Sequence, residues 1–232
     1  MLCGKELPWV DKCDHLGHTL TAAGSMEQDC RSKRSHFIDE AVKIREQFKF
    51  AHPSELLRAT DTYCTSFYGS NLWDLRGEAA NMLYCSWRTN VKLVWNLPRS
   101  TRSYFIDTSL APDCVPPSVS LMTRQLTFFH SLLESPSTEA QVLSRLAARD
   151  VRTNLGSKLS HIKQESGFNP WEFGGDRVRL ALCRFHECKV PEQDIWRVNF
   201  LQKLLYQKLT NFYCNIDDTE EIDKLIVSLV TN

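Results

Sequence analysis

The chain begins with a short alternating segment and then changes to helical periodicity. Residues 13–24, CDHLGHTLTAAG, alternate polar and apolar side chains around a turn that contains glycine, a pattern typical of a β-hairpin. From Ser25 onward the apolar positions recur three and four residues apart, which predicts α-helices. We therefore expect a mainly α fold, in which a short N-terminal β-hairpin is followed by a helical bundle and a second helical region.

Three helices are predicted in the first half of the chain. The first begins near Ser25, because Ser25 and Gln28 have the spacing of a capping box. Its apolar stripe consists of Phe37, Ala41, Ile44 and Phe48. The second helix ends at Gly69, and its apolar positions are Leu56, Leu57, Tyr63, Phe67 and Tyr68. The third runs from about residue 77 to residue 95, with Leu83, Trp87, Val91 and Val94 facing inward.

Residues 98–118 are the predicted boundary between two parts of the chain. This stretch contains four of the nine prolines and shows little periodicity. We therefore predict that residues 1–97 form a hairpin with helices, that residues 98–118 are a linker, and that residues 119–232 form a C-terminal helical region. Helices in the last part are expected from Val119 to Leu133, near 138–149, 155–166, 175–188 and 192–213, and after the acidic run DDTEEID.

Composition and charge favour a folded intracellular protein. The 232 residues are 42% hydrophobic and 24% charged, and the formal net charge is zero, so a nucleic-acid-binding surface has to be local. No apolar run reaches 18 residues, which predicts no membrane-spanning helix, and a secretory signal is not recognised. Nine cysteines without a glycosylation sequon indicate free thiols in a reducing compartment, nuclear or cytoplasmic.

The motifs of several enzyme classes are missing from the sequence. There is no G-x-S-x-G, no glycine-rich phosphate loop and no H-E-x-x-H. Asp217 and Asp218 precede a predicted helix in a solvated acidic run, where carboxylates favour the helix dipole rather than a metal pair. His15 and His18, three residues apart on a strand, are expected to point to opposite faces. We expect no catalytic residue and no cofactor.

A zinc site is the alternative chemistry that the sequence offers. Cys183, His186 and Cys188, in CRFHEC, are residue types that bind zinc, and Cys214 is a candidate fourth ligand. The usual second pair at a defined spacing is missing, and Cys188 projects away from the other two on a continuous helix. The favoured interpretation is therefore that these are ordinary helix residues, with zinc as the alternative.

Basic residues cluster in three places, and the cluster nearest the C-terminus consists of Arg145, Arg149, Arg152, Lys158 and Lys163, which meet only Asp150. Arg31, Lys33 and Arg34 lie at the start of the first long helix. Arg88 and Lys92 share a face of the third helix, Arg99 and Arg102 follow it, and no acid occurs between residues 78 and 107. Such groups neutralise phosphates without distinguishing bases. Taken alone, each cluster is typical of a solvated helix face, with phosphate binding as the alternative interpretation.

The order of several stretches resembles the region after the palm in non-LTR (LINE-type) retrotransposon reverse transcriptases. HLGHTLT at 15–21, followed by a Gly-Ser turn and a long basic helix, is similar to the family's Leu-Gly-x-x-Leu primer-grip strand and its thumb. Tyr68-Gly69 and Trp73 match a Tyr-Gly at the end of a thumb helix and a nearby Trp. CSWRTNVKLVWNLPRSTRSYFI and SLLESPSTEAQVLSRLAARD look like stretches downstream of the thumb, so the resemblance spans most of the chain.

The resemblance implies a thumb-like bundle that grips primer and template. The helix with Arg31, Lys33 and Arg34 would then lie along an RNA/DNA duplex backbone, with Lys92, Arg99 and Arg102 as secondary contacts. The family's aromatic-Ala-Asp-Asp signature, which carries the metal-binding carboxylates, is absent from the sequence, and so are the fingers and the endonuclease domain. We therefore expect a truncated fragment, without catalysis, that binds nucleic acid independently of base sequence.

Two further expectations concern partners. A hairpin separated from a larger sheet exposes strand edges, which predicts self-association through the N-terminal hairpin. The competing hypothesis is a helical protein–protein interaction or structural module without a nucleic-acid role. It predicts that the basic residues are scattered over unrelated faces of the molecule.

Overall fold

A β-hairpin opens the part of the chain that the structure describes. The computed structural model describes residues 10–15, 17–110, 114–167, 169–171, 190–214 and 219–231. Strands β1 (Lys12–His15) and β2 (His18–Thr21) are antiparallel. Gly17, in the turn between them, has a φ of +77°, a left-handed conformation that glycine adopts without strain. The predicted hairpin is confirmed.

Helices make up most of the remaining described residues, which confirms the mainly α fold. They are α1 (Glu27–Gln47), α2 (Pro53–Cys64), α3 (Glu78–Val94), α4 (Ser103–Phe105), α5 (Pro117–Leu133), α6 (Thr138–Arg149), α7 (Asn154–Ser166), α8 (Ile195–Tyr213) and α9 (Glu220–Thr231). A π-helical turn at Ile106–Leu110 continues α4, and short 3₁₀ turns occupy Ser70–Leu72 and Glu192–Asp194. None of the described helices is long and apolar enough to cross a membrane.

The core of the first half lies between α1, α2 and α3. Phe37 and Ala41 of α1, Leu57 of α2, and Leu83 and Trp87 of α3 are all buried. The three- and four-residue spacing places each helix's apolar side chains on one stripe, so the stripes meet when the helices pack. Each large side chain that is fully buried contributes roughly 1.5–3 kcal/mol of transfer free energy.

Asp29, near the start of α1, joins the hairpin to the bundle. Its side chain is 1% exposed, and its Oδ1 accepts a hydrogen bond from the Thr19 backbone N–H at 3.2 Å. Its Oδ2 accepts from Trp73 Nε1 at 2.8 Å and lies 3.2 Å from His18 Nδ1. His18 is thus a packed, hydrogen-bonded histidine.

Two predicted features of α1 are wrong. The helix begins at Glu27 with Met26 at the N-cap position, so Ser25 does not form the predicted capping box, although the Glu27 backbone N–H donates to Ser25 Oγ at 3.3 Å. Phe48 is 54% exposed rather than part of the core stripe. The helix ends at Gln47 and the chain turns there, so Phe48 no longer follows the face on which Ile44 is buried.

The predicted end of the second helix is also wrong. The structure ends α2 at Cys64, and Gly69 instead precedes the 3₁₀ turn with a φ of +78°. A Cβ at Gly69 would lie 1.9 Å from His18 Cε1, so the close approach of the hairpin excludes a side chain there. The close contact with His18, rather than the end of a helix, therefore explains why position 69 is a glycine.

The described helices of the second half lie close to their predicted positions. The buried residues of α5 include Val119, Met122, Leu126 and Phe129, which form one stripe along the helix. Ser137 caps α6 by accepting a hydrogen bond from the Ala140 N–H at 3.2 Å. In α8, Val198, Leu201 and Leu205 are buried, but Phe212 is 41% exposed. The helix expected at 175–188 lies outside the described residues.

Part of the predicted linker is packed in the core. Phe105, Ile106 and Leu110 are all fully buried, and Trp95 Nε1 donates to the Leu110 carbonyl at 2.6 Å. The buried cluster contains residues from both sides of this segment. The division into 1–97, 98–118 and 119–232 stays a prediction.

Candidate nucleic-acid interface

α1 and α3 lie side by side, and their contacts place the predicted cations relative to one another. Arg34 Nε donates to Ser86 Oγ at 2.8 Å, and further along both helices Arg45 Nη1 donates to Asn90 Oδ1. The order of these contacts shows that α1 and α3 run in the same direction. The first basic cluster and the pair Arg88 and Lys92 therefore lie on neighbouring helices.

Arg31 is paired with carboxylates on both helices. Its Nε and Nη2 donate to Glu27 Oε1 at 3.0 and 2.6 Å, and Glu78 Oε2 lies 3.8 Å from Nη2. These hydrogen bonds, which Arg31 donates to the Glu27 carboxylate, raise the pKa of Arg31. The guanidinium is thus a surface ion-pair partner, with part of its charge already compensated.

Arg88 holds α3 against the π-helical turn. Its Nε and Nη2 donate to the two carboxylate oxygens of Asp107 at 2.9 and 2.7 Å, a bidentate pair. The Asp107 side chain is only 8% exposed, and its hydrogen bonds raise the pKa of Arg88. This geometry indicates a structural role for Arg88.

Arg102 is also paired. Its Nη1 donates to Asp194 Oδ2 at 3.1 Å, and Tyr104 Oη donates to the same oxygen at 2.6 Å. Arg197 Nη1 lies 3.3 Å from Asp194 Oδ1. These contacts attach the segment after α3 to the start of α8.

The other four predicted cations have no described carboxylate within 4.0 Å: Lys33, Arg34, Lys92 and Arg99. Lys92 Nζ donates to the Arg99 carbonyl at 2.6 Å, and burial lowers the pKa of Lys92. Lys33 lies apart, beside the hairpin turn, where its Nζ would be 3.9 Å from a Cβ on Gly17. The first sequence cluster is therefore split between the hairpin and α3.

An acid-free strip of α3 connects the remaining three cations. Asn81, Cys85 and Thr89 are exposed at four-residue spacing and so share one face of the helix. Arg34 approaches one side of this strip through Ser86, and Lys92, seven residues after Cys85, lies on the same face. We call the surface made by Arg34, Asn81, Cys85, Thr89, Lys92 and Arg99 the basic face.

Sequence reasoning missed Arg45, which lines a groove next to the basic face. Arg34 and Arg45 are both among the residues lining this α1–α3 groove, which has a volume of about 250 Å³. Burial lowers the pKa of Arg45. The signal was present in the sequence, because Arg45 follows Arg34 by eleven residues, which is close to three helical turns.

Metal chemistry has no support from the described residues. Among them, no group of three or more His, Cys, Asp or Glu side chains is placed to hold a metal ion. Cys183, His186 and Cys188 lie outside the described residues, as do Asp217 and Asp218, while Cys214 is an exposed free thiol.

The expectation that His15 and His18 point to opposite faces is wrong. They lie on the two paired strands and are direct cross-strand partners. Directly paired residues project from the same face of a hairpin. The prediction assumed that both histidines lie on one strand, whereas a turn separates them.

Comparisons with known proteins give no relative for this chain. No protein-family model matches it, and neither a curated protein nor a solved structure matches it. The resemblance to the reverse-transcriptase thumb stays a hypothesis carried by the sequence stretches alone.

Proposed function

We propose that this protein contacts the sugar-phosphate backbone of an RNA–DNA duplex through the basic face, as a thumb-like fragment of a LINE-type reverse transcriptase without catalysis of its own. The observation that carries the proposal is that Arg34, Lys92 and Arg99 lie on or beside neighbouring helices with no described carboxylate within 4.0 Å. Contact with such a duplex implies that the protein is located in the nucleus or the cytoplasm.

The chemistry of the basic face favours phosphate over base recognition. Its charged groups are Arg and Lys on a helical surface, and these bind phosphates without distinguishing bases. Binding is therefore expected to be weak, independent of base sequence and sensitive to salt. For three phosphate contacts, the affinity should fall roughly 40-fold between about 50 and 200 mM salt.

Fluorescence anisotropy with a labelled RNA–DNA hybrid tests the proposal. The decisive variant combines Arg34→Gln, Lys92→Gln and Arg99→Gln, and we expect it to lose most of the salt-dependent affinity. The matched control removes three exposed cations elsewhere, through Arg145→Gln, Arg149→Gln and Lys163→Gln. Because both variants lose three positive charges, net charge alone cannot explain a difference between them.

Two outcomes would overturn the proposal. One is that the wild-type protein shows no binding at low salt. The other is that both triple variants lose affinity equally, which would show a diffuse charge effect. Circular dichroism of each variant checks that the helical fold is retained.

A protein–protein interaction module is the second candidate function, and α6 favours it. Val142, Leu143 and Leu146 are 50%, 66% and 60% exposed on neighbouring positions of this helix. An apolar face of this kind suits contact with a second copy of the chain. Sedimentation velocity of the wild type and of a Leu143→Asp, Leu146→Asp variant tests it, because a concentration-independent monomer in both would exclude self-association through α6.

A further inference from the structure

The groove between α1 and α3 has a polar rim with unused hydrogen-bond donors. Arg34 and Arg45 each donate to a neutral side-chain oxygen, Ser86 Oγ and Asn90 Oδ1 respectively. No described carboxylate lies within 4.0 Å of either guanidinium, and each has five N–H donors. Both therefore retain donors and an uncompensated charge.

Asn90 supplies an independent sign that the rim is incomplete. The residue is 4% exposed, it lines the groove, and its Nδ2 has no hydrogen-bond partner. Buried polar groups are nearly always paired in native proteins, so an unpaired amide in a groove wall requires an explanation. The unpaired amide lies directly beside the Arg45 guanidinium, which donates to its Oδ1, so this part of the groove wall is incompletely hydrogen-bonded.

The floor of the groove is apolar. It is formed by the buried Phe37 and Ala41 with the half-buried Ile38 and Val42, and the exposed Leu93 extends the apolar lining. Its volume of about 250 Å³ is slightly below the usual range for drug-sized ligands, roughly 300–1,000 Å³. The groove is therefore suited to a small molecule with an apolar body.

From this arrangement we infer that the α1–α3 groove binds a small amphipathic anion, whose oxyanion head meets Arg34 and Arg45 beside Asn90 while its apolar body covers Val42 and Leu93. Planar guanidinium groups match carboxylate and phosphate heads, and both fit this chemistry. The inference goes beyond the proposed duplex contact and does not depend on it, although Arg34, Cys85 and Thr89 belong to both surfaces. Burial lowers the pKa of Arg45, which is consistent with a charge that has no partner in the free protein.

Isothermal titration calorimetry with 4-phenylbutyrate, its neutral amide and phenyl phosphate tests the inference. We expect the two anions to bind at least tenfold more tightly than the amide, and their ratio identifies the preferred head group. Arg45→Gln should weaken anion binding roughly 10- to 100-fold, the range for one charge-assisted hydrogen-bonded contact. Lys43→Gln is the matched control, because Lys43 is on the same helix but pairs with Glu40 and does not line the groove.

The inference is overturned by equal affinity for the acid and the amide, by no binding of either anion at millimolar concentration, or by unchanged affinity in the Arg45→Gln protein. If that variant fails to fold, Val42→Phe, which fills the apolar floor, replaces it and should abolish binding. A Lys92→Gln, Arg99→Gln protein separates the two proposals, because it should lose duplex binding and retain 4-phenylbutyrate binding.

Discussion

At the scale of single residues, Lys158 shows how burial changes the chemistry of a side chain. It is 8% exposed, and its Nζ donates to the Asn71 carbonyl at 2.8 Å. Burial lowers the pKa of Lys158 from 10.5 to about 8, and the nearby Asp74 only partly offsets this. Its position in the sequence, within SKLSH, does not distinguish it from a solvated helix lysine.

The lowered pKa of Lys158 predicts a pH-dependent stability. Below pH 8 the Lys158 amine is protonated in both the folded and the unfolded chain. The folded chain then carries the full free-energy cost of the buried charge. Between about pH 8 and pH 10.5 the unfolded chain binds more protons, so the free energy of unfolding rises with pH, by up to about 3 kcal/mol. We expect Lys158→Met to stabilise the protein by roughly 1–3 kcal/mol at pH 7 and to lose this advantage as the pH approaches 10.

Urea unfolding of the wild type and the variant at several pH values measures this difference. Lys163→Met, at an exposed position on the same helix, controls for the loss of a positive charge and should give no comparable stabilisation at pH 7. If the free energies of unfolding of Lys158→Met and wild type differ by a constant amount from pH 7 to pH 10, this would contradict the lowered pKa of Lys158.

At the scale of elements, the junction of α6 and α7 depends on a glycine. Thr153 Oγ1 accepts from the Gly156 N–H at 3.0 Å and so caps α7. A Cβ on Gly156 would lie 2.2 Å from the Asp150 carbonyl oxygen and 2.8 Å from that of Ala147. Both oxygens belong to the backbone at the end of α6, and a backbone cannot move aside as a flexible side chain does.

Gly156→Ala is therefore expected to destabilise the protein by roughly 2–4 kcal/mol, although alanine is normally the better helix former by about 1 kcal/mol. Thermal and urea unfolding measure the change. Ser160→Ala, on the same helix at a half-exposed position, should be close to neutral. A stabilising Gly156→Ala substitution would show that α6 and α7 do not approach this closely.

At the scale of the whole molecule, the segment predicted as a linker contributes to the common core. Phe105 is fully buried, and the cluster that contains it includes Trp87 from the first half and Leu201 from the second. The bidentate Arg88–Asp107 pair fixes the same segment to α3. These contacts favour cooperative unfolding of the two halves.

We expect Phe105→Ala to lower the free energy of unfolding by roughly 3–5 kcal/mol and to leave one transition. Tryptophan fluorescence and far-UV circular dichroism should give coincident curves. Phe50→Ala, at an 85% exposed position, is the control and should be close to neutral. Two separate transitions, only one of them sensitive to Phe105→Ala, would instead support the division at 98–118.

The sequence was sufficient to predict the helices but not to predict which groups the charged side chains contact. The stripes of α3 and α5 were predictable, because local periodicity reports which face is buried. The pairing of Arg102 with Asp194 was not, because the two residues are 92 positions apart. For the same reason, the sequence does not distinguish Arg88, which is paired with a carboxylate, from Lys92, which is not.

The amino-acid sequence by itself determined the mainly α class, the N-terminal hairpin and most helix positions, since these follow from local spacing and turn residues. Tertiary structure alone decided that Gly69 faces His18, that Asp29 joins the hairpin to Trp73, and that Arg34 and Arg45 line one groove. The physical reason is that periodicity depends on neighbours along the chain, whereas burial, ion pairing and groove shape depend on neighbours in space.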